Sequence, residues 1–498
     1  MQYDVVIMGS GAAGLTAALV AAKAGLKVAV LEKAAHFGGT TAISGGGIWI
    51  PNSPQARAAG VQDSADKARG YVMGVVGNRA EKALIDAYID TGPAMVDWLA
   101  ANSTVHFLLS PPSSDWYPEV PGAADHGRLL APAEFDGKQL GVNFDRLSKP
   151  REEFNAPGGM MIDLFDLPFI NRLPAPGALW HMAKIAIRFA WDKKKLGRGS
   201  RLTMGTALAG RLLHSALAAG VDLIEQAQVE GLVVTDARVT GVKARVKGVV
   251  REIHAAKGVV LASGGFSANA DMRKAYIPFA ETHLSIMPYT NTGDGINAAT
   301  AAGAAMGAEN HVNAVWAVAS KRTRADGYVE RFAHLMDMSK PGCIAVNSRG
   351  ERFGNEASVH FVEAIHANGH SNGHANGAAP VHIIANGKFV KKYGMGLVLP
   401  GGGKIKEMVA CGYMKVGATL AELAAQIGVD PVGLDATAAK VAAFAITGTD
   451  TAYGKGESQI DIEIGDPKHQ PNPCFGALGD GPYYAVEIFA GDGSTTVG

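Results

Sequence analysis

The apolar positions near the start of the chain predict a strand, a helix and a second strand in succession. Residues 5–8 are all apolar and predict a buried strand, residues 15–24 are rich in alanine and predict a helix, and residues 27–31 predict a second strand. Strand, helix and strand in this order form a βαβ unit, which is typical of an α/β fold built on a parallel sheet.

The middle of the chain predicts a second group of strands beside further helices. A helix is expected over residues 201–219, and another from Asp294 through Gly307. Alternating apolar runs predict the strands of a small meander at 221–224, 229–234, 239–246 and 248–254. The apolar run 258–261 ends in small residues, and we expect this strand to join the first sheet.

A glycine-rich turn joins the first strand to its helix. Gly9, Gly11 and Gly14 have the G-x-G-x-x-G spacing, which lets the backbone approach a pyrophosphate at the helix N-terminus. Glu32 ends the second strand, where its carboxylate is placed for ribose hydroxyls. Because strand, turn, helix, strand and acid occur in order, the segment predicts a dinucleotide cofactor.

A second loop of small residues, 38–47, follows Glu32 almost at once and favours FAD over NAD. Residues without bulk let backbone N–H groups reach a flat isoalloxazine ring. The residues expected to contact FAD from these patterns are Gly9, Ser10, Gly11, Ala12, Ala13, Gly14, Glu32, Lys33, Gly39, Thr40, Thr41, Ser44, Gly46, Gly47, Ala262, Ser263 and Gly264.

The composition limits the class of protein. A chain of 498 residues, 47% hydrophobic and 18% charged, predicts two or three globular domains. Basic and acidic residues number 46 each, which gives no reason to expect a nucleic-acid partner. Cys343, Cys411 and Cys474 lie far apart, so we expect no metal site and a reducing compartment. The chain begins directly with a strand and has no apolar stretch of about 18 residues, which favours a cytoplasmic location.

Other short motifs occur along nearly the whole chain. They are Trp-Tyr-Pro-Glu at 116–119, residues 261–266, Thr-Gly-Asp-Gly at 292–295, residues 341–356, and Gly-Pro-Tyr-Tyr-Ala-Val at 481–486 with Gly-Asp at 491–492. Together with the two glycine-rich loops, they resemble the 3-ketosteroid Δ1-dehydrogenase family. That family belongs to the superfamily of FAD-dependent fumarate reductases and ketosteroid dehydrogenases.

The resemblance implies how the domains are arranged. It implies a Rossmann-type FAD-binding domain at 1–285, with a helical and β insertion at 105–255. An α+β catalytic, substrate-binding domain would occupy 286–490. Residues 491–498 would begin the return to the FAD-binding domain, whose C-terminal part is missing from this sequence, so a truncated version of a longer protein is expected.

The resemblance also adds two contacts to FAD. Relatives bind the adenine with the backbone near Val229, and their Thr-Gly-Asp-Gly motif, which contains Asp294 here, contacts FAD. No histidine directly precedes Thr40. The resemblance therefore implies FAD bound without the covalent histidine link of some relatives.

The reaction implied by the resemblance is 1,2-dehydrogenation of a 3-ketosteroid or a similar apolar cyclic ketone. The ketone polarises the neighbouring C–H bonds, a base removes one proton, and a hydride leaves the adjacent carbon for flavin N5. Tyr117 matches the family's active-site tyrosine. His360 stands where relatives carry a catalytic tyrosine after the Asn-Glu of residues 355–356, and histidine is a competent base near neutral pH.

Three other functions stay open on the sequence. A fumarate-reductase-like enoate reductase would need cations for the substrate carboxylates, and residues 493–498 contain no histidine or arginine. The residues that distinguish a ketosteroid Δ4-dehydrogenase from a Δ1-dehydrogenase would lie in the missing C-terminal segment. A flavin-binding homologue without turnover is favoured by the missing tyrosine and the missing tail.

Two further segments have more than one interpretation. Residues 173–199 resemble an amphipathic helix that ends in three lysines, which predicts either a peripheral membrane contact or a helix packed on its own domain. Residues 366–379 repeat Asn-Gly beside histidines and predict a solvated loop rather than a helical metal site. The sequence assigns neither the electron acceptor nor the oligomeric state.

Overall fold

The chain forms two compact units in the computed structural model, which describes residues 2–151, 155–156, 158–170, 172, 174–280, 282–307, 310, 313–334, 336–371 and 380–496. The first unit comprises residues 1–269 with 288–308, and the second comprises 270–287 with 309–497. The sequence predicted one boundary near residue 285 and a return to the first domain from residue 491, whereas the chain also passes between the two units at 269–270, 287–288 and 308–309. The predicted domain limits therefore stay a prediction.

Strands and helices occur in both units. The strands, numbered along the chain, are β1 (Gln2–Met8), β2 (Val28–Leu31), β3 (Ile48–Trp49), β4 (Phe107–Leu109), β5 (Leu129–Pro132), β6 (Phe135–Asp136), β7 (Asn155–Ala156), β8 (Met160–Met161), β9 (Arg201–Leu202), β10 (Asp222–Ile224), β11 (Ala227–Thr235), β12 (Arg238–Val246), β13 (Val249–Leu261), β14 (Leu284–Ser285), β15 (Ala314–Trp316), β16 (Ala319–Thr323), β17 (Val329–Ala333), β18 (Cys343–Val346), β19 (Val381–Asn386), β20 (Met414–Gly417), β21 (Tyr483–Ile488) and β22 (Gly491–Thr495).

The α-helices, numbered in the same way, are α1 (Ala12–Lys23), α2 (Gly39–Ala42), α3 (Pro54–Ala58), α4 (Ala65–Val76), α5 (Lys82–Asn102), α6 (Leu167–Ile170), α7 (Pro176–Leu196), α8 (Met204–Ala218), α9 (Ala270–Tyr276), α10 (Asp294–Ala301), α11 (Phe361–Ser371), α12 (Gly387–Tyr393), α13 (Ile405–Ala410), α14 (Leu420–Ile427), α15 (Pro431–Thr447) and α16 (Gln459–Ile464). Within the described ranges, no helix combines the length and the apolar character that crossing a membrane requires.

The main sheet of the first unit has the strand order β10-β2-β1-β13-β12-β11. The first four of these strands are parallel, and β12 pairs antiparallel with both β13 and β11. The predicted βαβ unit and the predicted meander therefore belong to one mixed sheet. This arrangement confirms the Rossmann-type FAD-binding fold.

A single long strand, β13, replaces two of the predicted strands. Its first half pairs with β12 from Val249 to His254, and its second half pairs with β1 as far as Leu261. Ala255, Ala256 and Lys257 separate the two predicted strands in the sequence. Hydrogen bonds to one neighbour and then to the other keep the backbone extended across them.

Both faces of the main sheet are buried, which explains why its first strands are continuously apolar. On one face, Ile7 and Val30 pack with Leu212 of α8. On the opposite face, Val6 and Leu31 belong to a second cluster with side chains of the meander. The sheet therefore holds its carboxyl end, where β1 gives way to the glycine turn, in a fixed position.

The core of the second unit is a four-stranded antiparallel sheet with the order β18-β19-β21-β20. Alternate residues of its strands face two separate apolar clusters. Ala345 and Ile383 pack with Phe361 of α11, whereas Ile344 and Ile384 pack with Leu434 and its neighbours. This unit has the α+β character expected of the substrate-binding domain.

Two predicted elements differ in the structure. The solvated loop predicted for 366–379 is wrong for its first residues, because α11 continues to Ser371; residues 372–379 lie outside the described residues. Phe361, Val362 and Ile365 are buried on one face of α11, and this packing outweighs the low helix propensity of the Asn-Gly step. The helix that starts at Asp294 ends at Ala301, before a glycine with positive φ.

The last described strand, β22, pairs with β14 and β15 in the second unit. The sequence predicted that residues 491–498 begin a return to the FAD-binding domain. The described part of this segment is instead a central strand of a three-stranded sheet in the second unit.

Candidate active site

The carboxyl end of β1 and the loops around it enclose a cavity of ≈ 300 Å³ in the first unit. The predicted FAD contacts that line it are Gly9, Ser10, Gly11, Ala12, Ala13, Glu32, Lys33, Gly39, Thr40, Thr41, Val229, Ala262, Ser263, Gly264 and Asp294. The structure thus brings residues from six separate segments around one cleft. Their contacts with FAD stay predictions.

Each of the three positions in the turn favours glycine for a different physical reason. Gly9 has a φ of +101°, and an added Cβ would lie 2.4 Å from the carbonyl oxygen of Ala262. A Cβ on Gly14 would lie 2.0 Å from the carbonyl oxygen of Gly9. Gly14 is therefore needed for helix packing and lies outside the cavity lining. Around Gly11 only the Thr41 hydroxyl, 3.6 Å away, lies within contact distance of an added Cβ, so this position leaves room for a cofactor.

Glu32 is largely buried and supports the glycine turn directly. Its carboxylate accepts hydrogen bonds from the backbone N–H and the hydroxyl of Ser10, at 3.1 and 2.6 Å, and from the N–H of Ala34 at 2.8 Å. The Ser10 hydroxyl in turn accepts a bond from the N–H of Gly38. The sequence predicted a ribose contact for Glu32, and that contact stays a prediction beside this second role.

An ion pair between two lining residues, Lys33 and Asp294, closes one side of the cleft. Lys33 Nζ lies 2.8 Å from Asp294 Oδ2 and also donates to the Thr292 hydroxyl. Asn291 Nδ2 donates to the Thr40 hydroxyl at 3.2 Å. These contacts hold the segment 290–294, which carries the Thr-Gly-Asp-Gly motif, against the loop that follows β2. Sequence spacing gave no sign of the Lys33–Asp294 pair.

The loop 38–47 begins as helix α2 and then packs against α8. The Ser44 hydroxyl donates to the carbonyl of Thr41 and accepts from the N–H of Gly46. A Cβ on Gly46 would lie 2.5 Å from the backbone nitrogen of Gly205 in α8. Ser44 and Gly46 therefore shape the loop outside the FAD cleft, and Gly47 lies at a second cavity.

This second cavity, of ≈ 430 Å³, contains the candidate residue Tyr117. Its lining residues are Gly47, Trp49, Tyr71, Val72, Val75, Val76, Ser113, Ser114, Asp115, Trp116, Tyr117 and Leu129. Aromatic and valine side chains dominate this set, and the described lining includes no lysine or arginine. The loop 38–47 connects the FAD cleft to this cavity within the first unit.

A fully buried arginine supports the loop that carries Tyr117. Arg128, 1% exposed, pairs with Asp63 and Asp115 at 2.7 Å each. The Trp49 Nε1–H donates to the other oxygen of Asp115 at 2.7 Å, and the backbone N–H of Tyr117 donates to the Tyr71 hydroxyl at 3.2 Å. The arginine also lies over the rings of Trp49 and Tyr71, at 5.4 and 5.6 Å from their centroids.

The charge states in this network follow from its pairing. Burial alone raises the pKa of the Asp63 carboxyl, but the hydrogen bond from Arg128 holds that pKa below its ordinary value. Burial raises the pKa of the Tyr71 hydroxyl. Both groups therefore keep their ordinary ionisation near neutral pH, with Asp63 charged and Tyr71 neutral. Sequence analysis missed Arg128, because its partners lie up to 65 positions away.

Replacing Arg128 with lysine tests this support. A lysine cannot bridge both carboxylates with a planar fork, so we expect the midpoint of denaturant unfolding to fall and kcat/KM to fall about tenfold. Flavin content is expected to stay at the wild-type level, since Arg128 does not line the FAD cleft. The control is Arg245→Lys, which alters a half-exposed pair with Glu230 in the same unit. Equal activities of the two variants would contradict a supporting role for Arg128.

The other candidate, His360, lies in the second unit, immediately before α11. It is half-buried, and its backbone N–H donates to the Ser358 hydroxyl at 3.1 Å. Asn355 fixes the start of the same turn, because its side chain accepts from the N–H of Ala357 and donates to Asp461. The two candidate catalytic residues thus belong to different units, and each is held by its own network.

The glutamate of the Asn-Glu motif anchors this turn through buried charges. Arg352 binds both oxygens of Glu356, at 2.7 and 2.8 Å, and also pairs with Asp450. Lys455 Nζ lies 3.6 Å from Glu356, and the N–H of Ala345 donates to it. Burial alone raises the pKa of Glu356, but Lys455 and Arg352 lower it to about 2.

Comparison with known proteins agrees with this geometry. Residues 4–498 match the model of the FAD binding domain family. The 3-oxosteroid 1-dehydrogenase of Mycolicibacterium smegmatis is 36% identical over 510 residues, covering 100% of this chain and 87% of that protein. The chain belongs to this family of FAD-binding dehydrogenases. The resemblance seen in the motifs is confirmed, and the protein is an FAD-dependent oxidoreductase.

Two further relatives of this dehydrogenase family are informative. The crystal structure of 3-ketosteroid Δ1-dehydrogenase from Sterolibacterium denitrificans, in complex with 1,4-androstadiene-3,17-dione, is 32% identical with a TM-score of 0.91. The match covers 100% of this chain and 89% of that one. The 4-oxocyclohex-2-ene-1-carboxylate 5-dehydrogenase of Sinomonas cyclohexanicum is 34% identical and covers 99% of this chain and 84% of that protein.

The cleft of this family member fits its FAD cofactor. Gly11 and Gly39 line the cleft without side chains. The N-terminus of α1 points its backbone N–H groups towards the turn, and Ala262, Ser263 and Gly264 line the cleft after the carboxyl end of β13. Gly39, not a histidine, directly precedes Thr40, and the non-covalent attachment of FAD stays a prediction. These residues would hold the dinucleotide, and Lys33 and Asp294 would close the site beside it.

Proposed function

We propose that the protein is a 3-ketosteroid dehydrogenase that introduces a double bond between C1 and C2 of the ring bearing the ketone. The observation that carries this proposal is the likeness over the full chain to a steroid dehydrogenase, with a TM-score of 0.91. The apolar lining of the cavity at Tyr117 supports it, since a steroid ring system offers mainly apolar surface.

The proposed chemistry removes a proton and a hydride from neighbouring carbons. The ketone makes the C2–H bond acidic, and the proton passes to a base as the hydride leaves C1 and the C1–C2 double bond forms. The bound flavin supplies the hydride acceptor. His360 is the proposed base, because a neutral imidazole accepts a proton near pH 7. Tyr117 is proposed to orient the ring or to hydrogen-bond the substrate.

A second candidate substrate is a cyclohexenone or cyclohexanone carboxylate, because relatives named for such compounds are nearly as similar to the chain. Both substrates contain a ring ketone and lose hydrogen at adjacent carbons. A carboxylate group would need a charged or strongly polar partner. The described lining at Tyr117 includes no lysine or arginine, and the nearby Arg128 is already paired with two aspartates. This arrangement favours the steroid.

A substrate panel tests the choice. The flavin-loaded protein is mixed with an artificial electron acceptor and with either 4-androstene-3,17-dione or 4-oxocyclohexanecarboxylate. We expect kcat/KM for the steroid to exceed that for the carboxylate at least about 100-fold, which corresponds to roughly 2.7 kcal/mol. A higher value for the carboxylate would replace the steroid with the second candidate. Reduction of fumarate by the dithionite-reduced protein, without oxidation of either ketone, would move the protein to the enoate reductases.

We further propose that α7 contacts a membrane surface, where a steroid partitions. Trp180, Ile187 and Trp191 are each more than 60% exposed on one side of this helix. Lys184 and Lys195 lie over the two tryptophan rings, at 5.2 and 4.5 Å. Exposed aromatic residues beside lysines are typical of helices that lie in the interface of a bilayer.

The membrane contact predicts a specific loss of vesicle binding. The variant Trp180→Gln/Trp191→Gln is expected to sediment with phosphatidylcholine vesicles at least about tenfold less than the wild type, because two interfacial side chains are lost. Ile446→Gln is the control, since this residue is 82% exposed in the second unit. Equal sedimentation of wild type and both variants would leave α7 as a helix that only packs on its own unit.

A further inference from the structure

A third cavity, of ≈ 430 Å³, lies beside the inner side of α7 and the chain that follows it. It is separate in its lining from the FAD cleft and from the Tyr117 cavity, although all three are in the first unit. Ile185, Phe189 and Lys193 line it at successive turns of α7. Lys149 and Arg198 line it from the adjoining chain segments.

The charge on this lining is positive and only partly balanced. Arg201 also lines the cavity, but it is paired with Glu134 at 2.5 Å and with Asp166 at 3.0 Å. Lys193 donates to the carbonyl of Gly158 at 3.1 Å. Lys149 and Arg198 make no ion pair or hydrogen bond with any residue that the structure describes, and the described lining contains no acidic side chain.

Arg198 is held in place by an aromatic ring rather than by an anion. Its guanidinium lies 4.2 Å from the centroid of the Phe144 ring. Burial lowers the pKa of Arg198, and Asp145 only partly opposes this effect. An arginine stays charged at every physiological pH, and its planar fork can donate two parallel hydrogen bonds to a phosphate.

The lining of the cavity also includes apolar side chains. Met160 and Met161 line it together with Ile185 and Phe189. A ligand that suits both the cationic and the apolar residues carries an anionic group and a hydrocarbon chain. The exposed tryptophans of the proposed membrane contact lie on the other side of α7, so a phospholipid from that surface would enter the cavity at the C-terminal end of the helix, next to Lys193 and Arg198.

We infer that this cavity binds the phosphate of an anionic phospholipid at Arg198 and Lys149, with an acyl segment against Ile185 and Phe189. The inference rests on the membrane contact proposed for α7. It adds a selectivity for anionic headgroups that interfacial tryptophans alone do not give. The site is independent of catalysis, because none of its residues lines the FAD cleft or the Tyr117 cavity.

The test compares vesicle binding of the flavin-loaded protein and three variants. Vesicles of phosphatidylcholine alone are compared with vesicles that contain phosphatidylglycerol. Arg198→Gln removes the proposed phosphate ligand, Lys194→Gln removes an exposed charge of the same helix outside the cavity lining, and Trp180→Gln/Trp191→Gln removes the interfacial side chains.

We expect phosphatidylglycerol to increase the vesicle affinity of the wild type and of Lys194→Gln. In Arg198→Gln this increase in affinity should be about tenfold smaller, which is the effect of losing one charged hydrogen-bonded contact. Equal losses in Arg198→Gln and Lys194→Gln would overturn the inference in favour of general surface charge. If Trp180→Gln/Trp191→Gln loses all vesicle binding, and Arg198→Gln alone loses the response to phosphatidylglycerol, both the membrane contact of α7 and the phosphate site are supported. Absence of vesicle binding by the wild type overturns both.

A second measurement identifies the source of the phosphate. Inorganic phosphate at millimolar concentration is added in the absence of vesicles, and the thermal midpoint is recorded. An increase in the wild type that Arg198→Gln lacks, without any phosphatidylglycerol effect, would replace the lipid with a free anion and overturn the inference as stated. No increase, together with an Arg198-dependent phosphatidylglycerol effect, supports the lipid.

Discussion

Replacing His360 with alanine is expected to lower kcat by about 10²–10⁴-fold, the usual contribution of a positioned general base. The turn around His360 is held by Asn355, Ser358 and the buried Glu356, so the variant should keep its fold. Because the mutation removes the base and leaves the FAD cleft untouched, bound flavin is expected to stay at the wild-type level. The measurement is the pH dependence of kcat/KM, in which the acidic limb of the wild type should disappear.

The variant His360→Tyr makes this test sharper. The resemblance implies a tyrosine at this position, and an unperturbed tyrosine has a pKa near 10. We expect partial activity with an acidic limb that moves to higher pH. The exposed His254→Ala serves as the matched control, and it should behave as the wild type. An unchanged rate and pH profile in His360→Ala would remove His360 from the mechanism.

The largest effect on stability is expected for Glu356→Gln. The variant leaves Arg352 and Lys455 buried without the carboxylate that they share, and breaking a buried ion pair in this way costs about 3–5 kcal/mol. The free energy of unfolding is measured with urea at pH 7. The control is Glu351→Gln, whose pair with Arg349 is more than half exposed and should contribute less than about 1 kcal/mol.

The same glutamate predicts how acid acts on the wild type. The pKa of Glu356 lies at about 2 in the folded protein, against an ordinary value of 4.5. The folded state therefore binds its proton more weakly than the unfolded chain, so the stabilisation is complete above pH 4.5 and is lost as the pH falls towards 2. Glu356→Gln should lack this component of the acid dependence. A denaturation midpoint equal to that of Glu351→Gln at pH 7 would contradict the network.

The sequence predicted the first sheet well because its signals are local. Residues 5–31 contain the strand, the turn, the helix and the second strand within one continuous segment, and each type has its own period. Gly9 and Gly14 were assigned a backbone role, and close contacts of 2.4 and 2.0 Å at an added Cβ give the physical reason.

Features that depend on contacts between distant residues were not predictable in the same way. Arg128 joins Asp63 and Asp115, and Lys33 joins Asp294, although nothing in the sequence marks these partners. Glu32 could be assigned to a ribose by its position, but its bonds to Ser10 became visible only in the structure.

The helix α11 shows how packing outweighs local preference. Its Asn-Gly step favours a turn, yet buried side chains at Phe361 and Ile365 hold the segment in a helix as far as Ser371. The strand β13 shows the same principle for a sheet, because its two different neighbours keep residues 255–257 extended between the two predicted strands.

The most direct test of the proposed function is a visible spectrum of the purified, flavin-loaded protein before and after anaerobic addition of 4-androstene-3,17-dione. The flavin absorbance is expected to bleach as the steroid is oxidised, and the product should be the 1,4-dien-3-one. A flavin spectrum that dithionite bleaches but the steroid leaves unchanged would contradict the ketosteroid dehydrogenase.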